Sequence, residues 1–301
     1  MDADVTTLSR SLLYEIVGAF GFPRDSLHWL FRPIFRPVTD RLAEIGVTFN
    51  RLVREQGFPK AAGWALTNWC TQITARGAEA IPAEGPLLVI SNHPGTYDSI
   101  LVASQMGRKD ICYISGDIPF LKYLPDAHQH FFFVSRKDPH DRMVAARKAI
   151  RHLRAGGSLL LFGVGHLDPD PAVYPDAADY VDQWSGSIEV FLRQVPGVRV
   201  LLAIVSGVVS PKWAHSPLTW LRRAALDRRR LAEFGQVVTQ LLFPGRLMFS
   251  PCVTFAPPVT AEQLRGETGS DAVLPAVIAR GQALLAEHCR LFTCAASRGS
   301  P

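Results

Sequence analysis

His93 and Asp98, in Ser91-Asn92-His93-Pro94-Gly95-Thr96-Tyr97-Asp98, are the two side chains of this sequence best placed for proton transfer. An imidazole takes up a proton near neutral pH, and a carboxylate bonded to its other ring nitrogen fixes the tautomer and stabilises the imidazolium. Residues at this spacing point well away from each other on one continuous helix, so the pair needs a bend. Pro94 keeps His93 out of the right-handed helical region, Gly95 permits a sharp turn and Thr96 can cap a helix that follows. Spacing is weak evidence, since roughly one such pair is expected by chance in every two chains of this composition. The flanks add context: Leu87-Leu88-Val89-Ile90 reads as a strand, and Ser99 to Met106 as a helix.

The elements that carry this turn alternate between short β-rich and helical runs, the pattern of an α/β domain with a central sheet covered by helices on both faces. Strands are predicted at 87–91, 111–115, 131–134, 158–162, 199–206 and 247–255. Helices are predicted at 99–106, 139–155, 187–194, 261–265 and 272–287, the late pair opening on a capping-box pattern at Thr260-Ala261-Glu262-Gln263. Loops beyond strand C-termini form the clefts of such sheets, and His93 and Arg136 both follow apolar runs, so they are expected to share one cleft.

These residues resemble the glycerolipid and lysophospholipid acyltransferase family, whose first motif reads Asn-His-x-x-x-x-Asp. Asn92, His93 and Asp98 match it, and Phe131-Phe132-Phe133-Val134-Ser135-Arg136 is similar to its second block. A helix and the step Ala155-Gly156-Gly157 into Ser158–Phe162 follow in the family's order, and the resemblance spans roughly residues 77 to 258. The third block departs from the family's Phe-Pro-Glu-Gly-Thr: Phe162-Gly163-Val164-Gly165-His166 keeps the phenylalanine and Gly165, with Val164 in place of glutamate and His166 in place of threonine. In the fourth, Leu202 stands where proline is common.

The resemblance implies a mixed α/β sheet and acyl transfer, with His93 and Asp98 catalytic and Asn92, Arg136, Gly165 and His166 on the substrate side. Arg136 is linked by it to the acceptor phosphate. It implies a fatty acyl chain moving from acyl-CoA or acyl carrier protein, as co-substrate, to the hydroxyl of a lysophosphatidate-type lipid, with no cofactor or metal. The protein would then work as a peripheral protein at the cytoplasmic face of a membrane. The residues alone leave alternatives open: Asn92 as a turn amide, Arg136 as a surface cation, and the whole as a lipid- or acyl-carrier-binding protein without catalysis.

Elsewhere the sequence is less specific. A chain of 301 residues that is 48% hydrophobic has ample material for a core, and its +5 charge favours anionic partners without separating phospholipid from nucleic acid. The five cysteines are scattered, which argues against a disulfide framework or a cysteine-rich zinc site and for a reducing compartment. Acidic Met1-Asp2-Ala3-Asp4 and the lack of a long apolar run predict no cleaved signal and no spanning helix.

Residues 1–76 read as a helical N-terminal region, with membrane association as one reading of it, and 77–301 as the α/β domain. Leu8, Leu12, Leu13, Ile16, Val17 and Phe20 form one helical stripe; Trp29, Leu30, Phe31, Ile34 and Phe35 then lie among Arg24, Arg32, Arg36 and Arg41. That mixture suits either a membrane interface or a packed helical layer broken at Pro33 and Pro37. The helix from Asp141 to Arg154 carries five basic residues, read as a solvated face or a site for coenzyme A phosphates. Arg222-Arg223 and Arg228-Arg229-Arg230, after Trp213, Trp220 and Leu221, form a patch suited to anionic headgroups rather than nucleic acid. His166-Leu167-Asp168-Pro169-Asp170 is read as a loop rather than a metal site.

Overall fold

The run Leu87 to Ser91 stays apolar until its last residue, as expected of a parallel strand covered on both faces. In the computed structural model it is the strand β2 (Leu87–Ser91), buried throughout, at the centre of an eight-stranded mixed sheet. The structure describes residues 4–19, 28–135, 138–269, 272–292 and 294–295.

The other strands are β1 (Thr74–Arg76), β3 (Ile111–Gly116), β4 (Phe131–Val134), β5 (Ser158–Phe162), β6 (Arg199–Ser206), β7 (Cys252–Phe255) and β8 (Val259–Thr260). The helices are α1 (Val5–Ala19), α2 (His28–Gln56), α3 (Phe58–Leu66), α4 (Asp98–Met106), α5 (Pro125–His128), α6 (Pro139–Arg154), α7 (Ala177–Val181), α8 (Ser187–Gln194), α9 (Pro211–Ala214), α10 (Ala225–Leu242), α11 (Ala261–Thr268) and α12 (Leu274–Leu291). The sheet order is β1-β7-β6-β2-β5-β3-β4, with β8 also on β6. Strands β2 to β5 pair in parallel, and β6 joins β2 in parallel but β7 and β8 antiparallel.

Alternation along the strands builds two cores. Leu87, Val89, Leu160, Leu201, Ala203 and Val205 face α3 and α4, while Leu88, Ile90, Leu159, Leu161, Leu202 and Ile204 face α6, α8 and α12. Because β2, β3, β4 and β5 run in one direction, their C-terminal ends meet on one edge, where a cleft opens.

Four local readings differ from expectation. The sheet starts before Gly77, since β1 pairs with β7. Strand β7 is shorter than 247–255 because Pro251 has no N–H for the ladder. Helix α2 runs through both Pro33 and Pro37, each at a nominal cost of about 3 kcal/mol. It is held by Val38, Ala43 and Val53, all buried. Helix α10 has no counterpart among the predicted helices.

In α1, Leu8 and Leu12 pack with Ala43, Leu121 and Leu124, so that part of the apolar stripe is a helical layer on the sheet domain. The side chains of Ile16, Val17, Phe20, Arg24, Trp29, Leu30, Phe31, Arg32 and Ile34 lie outside the described residues. No helix among the described residues is long and apolar enough to cross a membrane.

Between β6, β7 and α12, His288 is wholly buried, with Nε2 2.7 Å from Ser206 Oγ and Nδ1 2.8 Å from Thr254 Oγ1. Burial pushes its pKa down from 6.5 to about 4. The unfolded chain therefore binds a proton that the native protein refuses between those values. Stability is full above pH 6.5 and falls by about 3 kcal/mol as pH drops to 4. Urea midpoints measured across that range should show the loss, and His288→Gln should flatten it; an unchanged pH dependence in the variant refutes the assignment.

Candidate active site

The Pro-Gly turn does what its residue types predict. The backbone reverses after β2 and Asp98 opens α4, so its carboxylate returns to His93, with Oδ2 2.8 Å from Nδ1. The same oxygen accepts the Gly95 N–H at 2.9 Å. Asp98 is fully buried, whereas the His93 side chain is 28% exposed and lines the cleft. Nε2 is thus the ring nitrogen left for a substrate. Phe162, from the end of β5, stacks on the imidazole with ring centroids 4.0 Å apart and planes 15° from parallel.

Burial disfavours the imidazolium, but the charge and hydrogen bond of Asp98 outweigh it, with Glu233 and Asp168 adding to the effect. The pKa of His93 is pushed up to about 9. An imidazole held this way has a strong affinity for a proton and a fixed partner for the resulting charge.

Two carboxylates anchor the loop after β5, one to this turn and the other to the segment after β6. Asp168 donates its N–H to the His93 carbonyl at 2.7 Å, and its Oδ2 accepts the His93 N–H at 3.1 Å. Its pKa rises to about 6, chiefly through burial. Asp170, also buried, accepts four main-chain N–H groups, from Ala172, Gly207, Val208 and Val209, at 2.8 to 3.0 Å. Both side chains are therefore braces between loops. Among the described residues no group of three or more His, Cys, Asp or Glu is arranged to hold a metal ion.

The remaining predicted site residues separate. Gly165 and His166 line the cleft. Gly165 has φ +76° and open space where a Cβ would sit, so its conformation rather than crowding requires glycine. His166 places Nδ1 3.1 Å from the Leu167 carbonyl and its ring edge-on to Tyr180. Asn92 is not on the cleft wall: its side-chain amide donates to the Val205 carbonyl at 2.9 Å and accepts the Val205 N–H at 2.8 Å, bracketing β2 to β6. Val164 is half-buried and packs against the core cluster on the α6, α8 and α12 side of the sheet. Arg136 lies outside the described residues.

The cleft, about 510 Å³, has a largely apolar wall that includes Tyr113, Ile114, Ile118, Phe131, Val134 and Phe162. Its opposite rim was invisible in sequence. Helix α10 contributes Arg230 and Glu233, and Thr96 donates its hydroxyl hydrogen to Glu233 Oε1 at 2.5 Å. Burial pushes the Glu233 carboxyl up, against that hydrogen bond. Further along, Tyr97 donates its phenolic hydrogen to Gln240 Oε1 at 2.6 Å, and Gln236 bridges the Ser210 N–H and the Val208 carbonyl. Helix α10 thus grips the histidine turn through polar side chains. The signal that could have found it is Glu233-x-x-Gln236-x-x-x-Gln240, a polar stripe at helical spacing.

Residues 72–177 match the sequence model of the family described as Acyltransferase. That stretch, about a third of the chain, is similar to the acyltransferase family. The matched residues hold β1 to β5 and most of the cleft, including His93, Asp98, Gly165 and His166, while Arg230 and Glu233 come from beyond them. Over 93% of this chain and 96% of the other, the structure is similar to the crystal structure of the 1-acyl-sn-glycerophosphate (LPA) acyltransferase PlsC from Thermotoga maritima, at 17% identity and a TM-score of 0.45. No curated protein matches the sequence.

Proposed function

We propose that the cleft transfers a fatty acyl group from acyl-CoA or acyl carrier protein to the hydroxyl of a lysophosphatidate-type lysophospholipid or a related glycerolipid, with His93 as general base oriented by Asp98. The observation that carries this reading is the 2.8 Å contact between Nδ1 and the buried carboxylate at the mouth of an apolar cleft. His93 Nε2 takes the hydroxyl proton as the oxygen attacks the thioester carbonyl. The C–S bond then breaks, and the departing thiolate recovers the proton from the imidazolium. Main-chain N–H groups would hold the tetrahedral oxyanion. The scheme balances with no acyl-enzyme, metal or redox cofactor.

The apolar wall suits an acyl chain, and Arg230 at the rim supplies a cation for a phosphate in addition to the role the resemblance gives Arg136. Acting on such lipids, the protein would sit as a peripheral protein on the cytoplasmic face of a membrane. The test incubates purified protein with radiolabelled acyl-CoA or acyl carrier protein and a panel of lysolipids. A labelled diacyl product supports the reading. No product from any pair, with acyl donor or lysolipid still bound, points instead to a non-catalytic acyl- or lipid-binding protein.

A base must start unprotonated. With the His93 pKa raised to about 9, the neutral fraction grows about tenfold per pH unit below that value. kcat/KM should therefore climb with near-unit slope from pH 6.5 and level off near 9. A profile already flat above pH 7 is incompatible with His93 titrating as the base.

A further inference from the structure

The short 3-10 turn Pro217–Leu221, between α9 and α10, holds apolar side chains in solvent on a well-tied backbone. Leu218, Trp220 and Leu221 are 55%, 73% and 77% exposed, while Thr219 between them is buried. Ser216 caps the turn at the Leu218 N–H, the Thr219 hydroxyl returns to the Ser216 carbonyl at 2.7 Å, and Arg228 donates to the Arg223 carbonyl at 2.9 Å. A fixed turn that keeps a tryptophan and two leucines out of the core has a surface, not a core, to meet.

The next residues, Arg222 and Arg223, are exposed, and among the described residues neither is in an ion pair. Arg229, by contrast, is removed from the basic patch. It is buried, bonded to Asp176 at 2.6 Å and to the Tyr180 hydroxyl at 2.7 Å. Tryptophan and leucine beside free-facing arginines match the layered chemistry of a bilayer surface, in which rings sit at headgroup depth and guanidinium groups meet lipid phosphates. Three side chains fall far short of the roughly 800 Å² per partner that a stable protein dimer buries, whereas a bilayer accepts a small wedge.

We propose that Leu218, Trp220 and Leu221 insert into the interface of an anionic lipid bilayer, with Arg222 and Arg223 on its phosphates, and that this seats the cleft mouth on the lipid surface. The first residue of α10 lies only about 8 Å along the helix axis from Arg230, on the rim of the cleft. Leu221 is four residues before that helix, at most about 14 Å more, so the turn and the cleft rim are no more than about 22 Å apart, roughly the length of one extended acyl chain. The docking rests on the acyl-transfer reading for its purpose, not for its occurrence, so the two are measured apart.

The intact protein is sedimented with vesicles of phosphatidylcholine alone or with about 30 mol % phosphatidylglycerol. Wild type should partition onto the anionic vesicles with a blue-shifted tryptophan emission that Trp220→Phe removes. Partitioning should fall at least about tenfold in Trp220→Ser/Leu221→Ser, and Arg222→Gln/Arg223→Gln should lose the preference for anionic lipid. Turnover of water-soluble short-chain substrates should be unchanged in each variant. Equal partitioning of wild type and the Trp220→Ser/Leu221→Ser variant overturns the proposal, as does wild-type self-association abolished by that variant, which would make the occupant a second copy. Docking without turnover of any substrate would overturn the proposed function and leave the docking face standing.

Discussion

Alanine at position 93 should lower kcat/KM for acyl transfer by about 10³- to 10⁴-fold while leaving the thermal midpoint within a few degrees of wild type. The side chain sits partly exposed on the cleft wall, so its loss removes the proposed proton acceptor without opening a closed core. Asp98→Asn is the sharper test. It keeps the shape but removes the charge that favours the imidazolium; because Oδ2 serves both Nδ1 and the Gly95 N–H, the amide either keeps its oxygen there without the charge or turns its NH₂ toward both, losing the Gly95 acceptor and selecting the wrong tautomer. We expect a loss of about 10²- to 10⁴-fold. The pH break should also move down from about 9, because Asp98 supplies the largest of the influences that raise it. Activity within tenfold of wild type in His93→Ala would remove the imidazole from the mechanism. An Asp98→Asn profile still breaking near 9 would mean that another group titrates.

The largest effect on stability is expected far from the proton-transfer step. Asp170→Ala leaves the N–H groups of Ala172, Gly207, Val208 and Val209 buried without their acceptor. At about 1 to 3 kcal/mol for each orphaned group, even partial rescue by water leaves a loss of about 4 kcal/mol or more. Asp170→Asn should also destabilise, because its NH₂ faces donors. Urea unfolding read by tryptophan fluorescence measures both. An Asp170→Ala midpoint close to wild type would show that the four N–H groups find other partners. Since Asp170 fixes the segment that continues from Asp168 under His93, the surviving folded variant should also lose activity.

The sheet was legible because its strands are apolar and bounded by glycine, proline or polar residues. The boundaries read for Leu87–Ser91, Phe131–Val134, Ser158–Phe162 and Arg199–Ser206 coincide with those of the structure, as does the Thr260 capping box. Helix α10 was not legible. Its buried face has only Ala232 and Leu241 as apolar members beside Arg229, Gln236 and Gln240, whose side chains are hydrogen-bonded, so a search for apolar periodicity passes over it. The same blindness concealed Glu233 and Arg230, whose relation to the cleft depends on a helix over 120 residues further along the chain than His93.

Proline, glycine and a capping threonine act on their immediate neighbours, so the meeting of His93 with Asp98 was already written in eight consecutive residues. Whether Asn92 faces lipid or braces a strand, which main-chain groups Asp168 and Asp170 take up, and which arginine of the 228–230 run is drawn inward depend on what lies across the fold. Val205, Gly207 and Tyr180 settle those questions, and a linear chain does not state how far apart in space such partners will be. Hydrogen bonds act over about 3 Å, so a polar side chain acquires its role from whichever distant backbone folding brings within that distance.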